Sequence, residues 1–468
     1  MKVSRSASRS KSEFMIATLR NEITAGKYEI GKYLPSELEL CSLFGISKMT
    51  VRKGLEVLVE EGYIEKVPRI GAKVVSSIHA NIITLRFGYY PSLVQEAKLL
   101  QLIERFHERH PLLRIQPIPL QYPAHDRYFS SYFQELKLDL MSINAQDYED
   151  MRDLSLLEPM PRNEGVYRLL NTPFMIEEEA VAVQPFVFTP VILCYNKEHF
   201  RENNVPEPDA CWSWGDVQEA SRKLAVPGNR YGLVFHTLSD NRWPLFLLQN
   251  GVVFEPQADG SYHLANDQKL KDALATCKEL MSDESLFPIH LSRSDNDIKD
   301  LFRRQKVSMM IATYSTLNGL QPQEDQGRQL RYDIAPVPFL QEAKSLLIVI
   351  GLAVSKLSEH KEAARRFVEF MQSEDAQLFL RKHTLSVPAL KSAAEWSGKE
   401  TMNRPPRFHL FRETMNTFRY YTDLNLSHRQ LSLMRDELTL YWANLESLDS
   451  VLQKIEDKLA QCNDLHAK

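Results

Sequence analysis

Apolar residues in this chain follow two different periods on either side of about residue 80, and no single-layer or repetitive fold accommodates both. From Phe14 to Val75 they fall into three short helical blocks and then a hairpin. From Asn81 onward short apolar strands alternate with amphipathic helices, the pattern of an α/β sheet protein. With 468 residues, and about 150 residues per domain as a guide, the chain has room for roughly three structural units. Only about six residues separate the hairpin from the first strand of the second part, so the two parts are expected to be coupled.

The first part reads in detail. Ile16, Leu19 and Ile23 recur at helical spacing and stop before Gly26. Ser36 is placed to cap a second helix, with Glu39 three residues on to complete a capping box. Phe44-Gly45-Ile46 forms a tight turn, and Ser47 caps a third helix that ends at Gly62. Val51, Leu55 and Leu58 form its inward stripe, which turns Lys48, Met49, Arg52 and Lys53 outward. Tyr63–Lys66 and Ala72–Val75 are the arms of a hairpin, or wing. Two helices joined by a glycine turn, the second with a basic outer face, have the geometry that fills a DNA major groove.

Charge is distributed to match. Residues 1–75 hold 13 Lys and Arg against nine Asp and Glu, a net of +4, within a chain whose overall charge is −4. That asymmetry fits a nucleic-acid-binding head on an acidic body. Residues 1–12 contain Lys2, Arg5, Arg9, Lys11 and five serines without an acid, and are expected to form a disordered basic arm.

Other classes are excluded. The longest apolar run, Leu346–Val354, is about half the ~18 residues a membrane helix needs. The N-terminus has no apolar core of a secretion signal, so a cytoplasmic location is expected and no membrane partner. Cys41, Cys194, Cys211, Cys277 and Cys462 are odd in number, scattered and without a CxxC pair, so they read as reduced thiols rather than disulfides or a zinc site.

The residues of the head resemble a known family. The run Gly31-x-x-Leu34-Pro35-Ser36-Glu37, then Phe44-Gly45-Ile46-Ser47-Lys48-Met49-Thr50-Val51-Arg52, then Glu61-Gly62-Tyr63-Ile64 and Gly71-x-x-Val74, resembles the GntR-type winged helix-turn-helix. The resemblance implies that Ser36, Ser47, Lys48, Thr50, Arg52 and Lys53 face DNA, and that the wing at Gly71 lies along the minor groove. Such residues suit DNA chemically, because hydroxyls and basic side chains fix register on phosphates while an arginine reads guanine bidentately. The family usually has arginine after Pro-Ser-Glu, where this chain has Leu38. It usually has glycine, a basic residue and glycine in the wing, where this chain has Arg69-Ile70-Gly71. Sequence readout is expected to differ accordingly.

The second part resembles the extracellular solute-binding proteins of carbohydrate transporters, with their two-lobed type II periplasmic-binding fold. The landmarks run in order: Glu104-Arg105-Phe106-x-x-x-His110-Pro111; Asp139-Leu140-Met141; Leu156-Leu157-Glu158-Pro159; Cys194-Tyr195-Asn196-Lys197; Trp212-x-Trp214; Gln249-Asn250-Gly251; Leu301-Phe302 with Gln305–Met310; Ile334–Pro338; and Ala363–Met371. The implied architecture is a multidomain chain: the basic arm at 1–12, a small α+β winged helix-turn-helix at 13–75, a linker at 76–81 and a two-lobed α/β sensor at 82–465. The implied ligand is a sugar held between lobes, with aromatic rings on its apolar face and polar groups on its hydroxyls. By position the candidates are Tyr89, Tyr90, Asn144, Asp147, Phe186, Phe188, Trp243 and Tyr314, of which at least two are expected to touch ligand and Trp243 is the first choice.

Near the C-terminus, Leu431 to Leu459 keep the 3,4 spacing of a coiled coil, but Asn444–Ser450 offers a break with Ser447 as a cap, and two packed helices are expected. The whole reads as a ligand-responsive transcription regulator: operator DNA and a carbohydrate effector as partners, a homodimer on DNA, no cofactor and no metal. One alternative is the same head fused to a pyridoxal-phosphate aminotransferase-like domain, which needs a Schiff-base lysine in glycine-lined loops. Glycine is only 17 of 468 residues, and neither Lys356 nor Lys391 stands in such a setting. A sensor of a non-sugar solute is the other alternative.

Overall fold

The computed structural model describes residues 5–24, 27–68, 70–75, 82–120, 129–151, 156–258, 260–283, 287, 294–321, 330–399 and 402–466. The proposed linker at 76–81 and Arg69 lie outside them. Two compact units emerge, residues 1–84 with 107–114, and residues 85–106 with 115–468.

The head contains three helices, Arg5–Thr24, Glu37–Phe44 and Lys48–Glu60, and an antiparallel hairpin pairing Ile64–Val67 with Gly71–Val74. Its core is Met15, Leu19, Ile23, Leu40, Val51, Leu55, Leu58, Ile64 and Val74. The first helix corrects the expectation of a disordered arm: it begins at Arg5, because the Arg, Ser, Ala and Lys of this run include no glycine or proline to stop it. Ser36 and Glu39 form the expected capping box, and Ser47 accepts a hydrogen bond from the Thr50 N–H. Gly45 ends the second helix at φ 62°, the left-handed conformation that the sharp turn into the recognition helix Lys48–Glu60 requires.

The second unit is built on one ten-stranded sheet among the described residues. Its main path runs Tyr231–Val234, Val307–Thr313, Gln184–Asn196, Ser345–Val354, Leu140–Asn144, Ile83–Tyr89 and Leu113–Pro119. Two long antiparallel strands at its centre, Gln184–Asn196 and Ser345–Val354, belong to both lobes. Toward one end Ser345–Val354 pairs with the Leu140–Asn144 strand of the first lobe. Toward its other end Gln184–Asn196 pairs with the Val307–Thr313 strand of the second. Every residue of Gln184–Asn196 is buried. The apolar pattern suggests only short strands here, Val181–Val183 and Val191–Tyr195; the continuous strand carries Pro185 and Pro190, although proline is uncommon in central strands.

A bulge accommodates part of that conflict. Ile350 faces Val187 while Gly351 faces Pro185, so Phe186 is the extra residue, and its carbonyl accepts from Ala389 N–H at 3.1 Å and Gln377 Nε2 at 3.2 Å. A Cβ at Gly351 would stand 2.6 Å from the Gln184 carbonyl oxygen, so glycine is what lets the two crossing strands approach.

Helices pack against the sheet in both lobes. In the first lobe Phe106 packs edge-on against Phe367, with ring centroids 5.0 Å apart, joining helices Leu99–Arg109 and Lys361–Met371 to Phe87 of the sheet. In the second lobe helices Trp214–Leu224, Pro244–Gln249 and Gln268–Ser282 share one core with two C-terminal helices, His428–Trp442 and Leu448–His466. The chain breaks between these last two, with Asn444 at φ 58° and Ser447 Oγ accepting from Ser450 N–H. Leu431, Met434, Leu438, Leu452, Ile455 and Leu459 therefore pack inward on the lobe.

Candidate functional site

On the head, the outer face of the recognition helix carries Lys48, Arg52 and Lys53, all exposed, together with Met49 at 71% exposure. The hydroxyls of Ser47 and Thr50 are 2.8 Å apart at its N-terminus, and Ser36 caps the neighbouring helix. Arg52 Nε donates to both carboxylate oxygens of Glu37 at 3.0 and 2.9 Å, and Lys48 Nζ lies 3.6 Å from the same group. The Arg52 bond, with Lys48 adding to it, holds the Glu37 carboxyl below its ordinary value. Gly71 opens the second wing strand at φ 146°, exposed. Seven predicted residues thus lie on exposed or half-buried caps, helix face and wing. Glu37 joins them, a residue that pattern alone shows only as the end of the Pro-Ser-Glu motif.

In the second unit, a cavity of about 250 Å³ is lined from both lobes, and Leu347–Ile350 of a crossing strand contribute to its wall. From the first lobe come Tyr90, Asn144, Gln146 and Asp147. The Tyr90 hydroxyl donates to Asp147 and accepts from the Asn144 N–H at 3.0 Å. Asn144 Nδ2 donates to Asp147 at 2.8 Å, while its Oδ1 accepts from the Gln146 and Asp147 N–H groups at 2.8 Å each. The three side chains are therefore locked to one another at the end of the Leu140–Asn144 strand.

The second lobe supplies Asp240, Asn241, Tyr421 and His428. Asp240 accepts from Arg435 at 2.7 Å and from the Trp243 indole at 3.4 Å, and lies 3.8 Å from His428 Nε2. Burial pushes the Asp240 carboxyl up, but His428 and Arg435 outweigh it, and the net displacement is downward. Asp240 is thus an ionised group at neutral pH. Tyr421 donates to Asn241 Oδ1. Behind them Arg242, 2% exposed, bonds Asp295 at 3.0 Å, the Ile311 carbonyl at 3.2 Å and the Asn241 carbonyl at 3.1 Å, which fixes the loop. The wall is rich in directed donors and acceptors with two tyrosines, a lining suited to a small polyhydroxylated molecule. A second cavity of about 260 Å³, lined by Trp214, Asn250, Glu279 and Phe339, is confined to the second lobe.

Of the eight ligand candidates, Tyr90, Asn144 and Asp147 line the first cavity. The other five lie in packed interior. Tyr89 is buried beside Phe87, and Phe186 is the bulged residue of the crossing strand. Phe188 packs edge-on against Tyr167 and Phe411. The Tyr314 hydroxyl donates to the Phe408 carbonyl and accepts from the Phe411 N–H, both at 3.0 Å, in a site whose burial pushes the phenol up. Trp243 is 1% exposed and packs edge-on against Trp442 at 6.0 Å, so the first choice sits behind the wall with only its N–H reaching Asp240. Strand-end position alone cannot separate cavity from core, since a buried indole and a stacking indole carry the same sequence signal. Tyr421 and His428 escape sequence reasoning because they arrive from the C-terminal segment, far along the chain from the strand ends.

Among the described residues, no cluster of His, Cys, Asp and Glu could hold a metal ion. No described helix is long and apolar enough to cross a membrane.

Comparison with known proteins agrees with both parts. Residues 11–74 match the family of bacterial regulatory proteins called gntR, and residues 139–378, just over half of the chain, match the bacterial extracellular solute-binding protein family. Neither is an enzyme family, which sets the aminotransferase alternative aside. An uncharacterized HTH-type transcriptional regulator, YieP of Escherichia coli K12, is 34% identical over 77 residues, 16% of this chain and 34% of that protein. The HTH-type transcriptional regulator TreR of Bacillus subtilis is 38% identical over 58 residues, 12% of this chain and 24% of its own length. A galactooligosaccharide-binding protein of Bacillus subtilis is 25% identical over 233 residues, 47% of this chain and 52% of that one. The chain therefore spans about a quarter to a half of the length of these curated relatives. Among solved structures, maltose-bound MalE3 of T. maritima superimposes with a TM-score of 0.67 at 14% identity, covering 81% of this chain and 99% of that one. A solute-binding protein of Thermotoga lettingae bound with α-D-tagatose gives 0.66 at 15%, covering 81% and 98%. At such identities the likeness is one of fold, and it is the two-lobed fold described above. The chain belongs to the bacterial extracellular solute-binding protein family and carries a gntR-family helix-turn-helix domain at its N-terminus.

Proposed function

We propose that this protein is a cytoplasmic transcription regulator that binds operator DNA as a homodimer and senses a carbohydrate with its solute-binding domain, controlling genes of sugar uptake or use. The observation that carries the reading is the sensor cavity, whose polar wall is assembled from two lobes across strands that both lobes share. A ligand bridging Tyr90, Asn144 and Asp147 on one side to Asp240, Asn241, Tyr421 and His428 on the other gains contacts only when the lobes are together. It therefore favours the closed arrangement by its differential affinity. Closure changes the spacing of two heads, and paired half-sites about one DNA turn apart read that spacing.

On DNA, Ser36, Ser47, Lys48, Thr50 and Lys53 meet phosphates and base edges, Arg52 reads a base, and the wing at Gly71 lies along the minor groove. Replacing Arg52 with alanine then costs ~1–3 kcal/mol of specific binding. The ligand is tested by a thermal-shift screen of the whole protein against mono- and oligosaccharides and a control set of amino acids, anions and polyamines. A ligand at 100 times its Kd adds about 2.7 kcal/mol to stability. Stabilisation by a sugar supports the reading, whereas stabilisation by a control solute alone replaces the carbohydrate with another effector.

A further inference from the structure

The Glu37 carboxylate on the recognition face has no part in the local helix cap. Glu39, not Glu37, closes the capping box with Ser36. The ion pairs that Glu37 makes are surface pairs: Lys48, Arg52 and Glu37 side chains are 53%, 55% and 31% exposed. Pairs of that kind add little to stability, so the fold does not account for them.

Their geometry does suit recognition. The hydrogen bonds from Arg52 to Glu37 run from Nε, leaving the Nη1 and Nη2 edge of the fork for an acceptor outside the protein. We propose that Glu37 is a specificity-determining positioning residue of the DNA-binding head, which aims the Arg52 fork at a guanine and masks the charge of Arg52 and Lys48 against phosphates. The proposal rests on the reading that this head binds DNA. On a site with guanine at the right step, Nη1 and Nη2 reach O6 and N7 while Nε stays on Glu37, and every partner is satisfied. On other sequences Arg52 gains a phosphate only by leaving Glu37, which strands a carboxylate beside the DNA backbone. Glu37 thereby acts mainly against the wrong sites, and specificity is the difference between the two affinities.

The test uses the full-length protein, a duplex selected from a random library by the wild type, and a scrambled duplex of equal length, with binding read by fluorescence anisotropy over a salt series. Glu37→Gln keeps the size of the side chain and removes its charge. Expected for Glu37→Gln is tighter binding to the scrambled duplex with a steeper salt dependence, by about one released ion. Operator affinity does not rise in step, so the ratio of the two falls by about tenfold. Adding Arg52→Ala to Glu37→Gln lowers that ratio little further, because the two act as one unit. Equal gains on both duplexes overturn the proposal, since Glu37 is then only a bulk charge. Equal losses accompanied by a lower melting temperature overturn it as well, since the role is then structural. If the wild type itself selects no duplex over scrambled DNA, the DNA-binding reading fails and the proposal with it.

Discussion

Trp243→Ala separates packing from ligand contact in the sensor. The indole is 1% exposed, lies edge-on to Trp442 at 6.0 Å and donates to Asp240 at 3.4 Å. Truncating a fully buried Trp costs about 3–5 kcal/mol, the loss of an edge-on aromatic pair included. That is a large share of the roughly 5–15 kcal/mol that holds a domain folded. At about 2 °C per kcal/mol for large domains, the sensor transition is expected to fall on the order of 5–10 °C. Trp243→Phe, which keeps a ring against Trp442, should recover much of the loss. Differential scanning calorimetry reads the transition, and isothermal titration below it reads affinity for the sugar found by screening. Affinity is expected to change modestly, through Asp240, which keeps Arg435 and loses only the long indole bond. An unchanged melting temperature together with abolished sugar binding would instead return Trp243 to the ligand site.

Tyr90→Phe removes a hydroxyl that donates to Asp147 and accepts from the Asn144 N–H, so it is expected to lower sensor stability by about 1–3 kcal/mol and to weaken sugar binding, measured by the same titrations. His199 is buried beside Ser308 Oγ at 3.0 Å, and burial, with Arg230 adding to it, takes its pKa from 6.5 down to about 4. The unfolded chain therefore binds this proton first: the His199 contribution is complete above about pH 6.5 and is lost as pH falls toward about 4. Urea midpoints measured across that window should fall more steeply for wild type than for His199→Gln.

Local chemistry made the head legible. Ser36, Glu39, Gly45 and Ser47 each do one job set by their neighbours in sequence, and caps and turns are the features that short-range patterns encode. In the sensor, alternation of strands and helices carried the α/β class, and the break before Ser447 carried the two C-terminal helices. The long crossing strand was less legible, because the apolar pattern gives only the short strands Val181–Val183 and Val191–Tyr195, while tertiary pairing and a bulge at Phe186 keep Gln184–Asn196 continuous through Pro185 and Pro190. Site composition was least legible. Tyr90, Asn144 and Asp147 follow strand ends and could be placed, but Tyr421 and His428 join the cavity through packing of a segment about 280 residues further along than Asn144. No spacing rule links residues that meet only through the fold of a second lobe.

In a ligand-responsive regulator of this design, sugar occupancy and DNA binding are one coupled equilibrium. Operator affinity of the full-length protein, measured by anisotropy at fixed salt with and without saturating sugar, reads that coupling. The expected change is about 5–150-fold, the range of typical coupling, and sugar affinity measured with and without operator must change by the same factor. Identical operator affinities under conditions where calorimetry shows the sugar to be bound would mean that the two sites are not coupled.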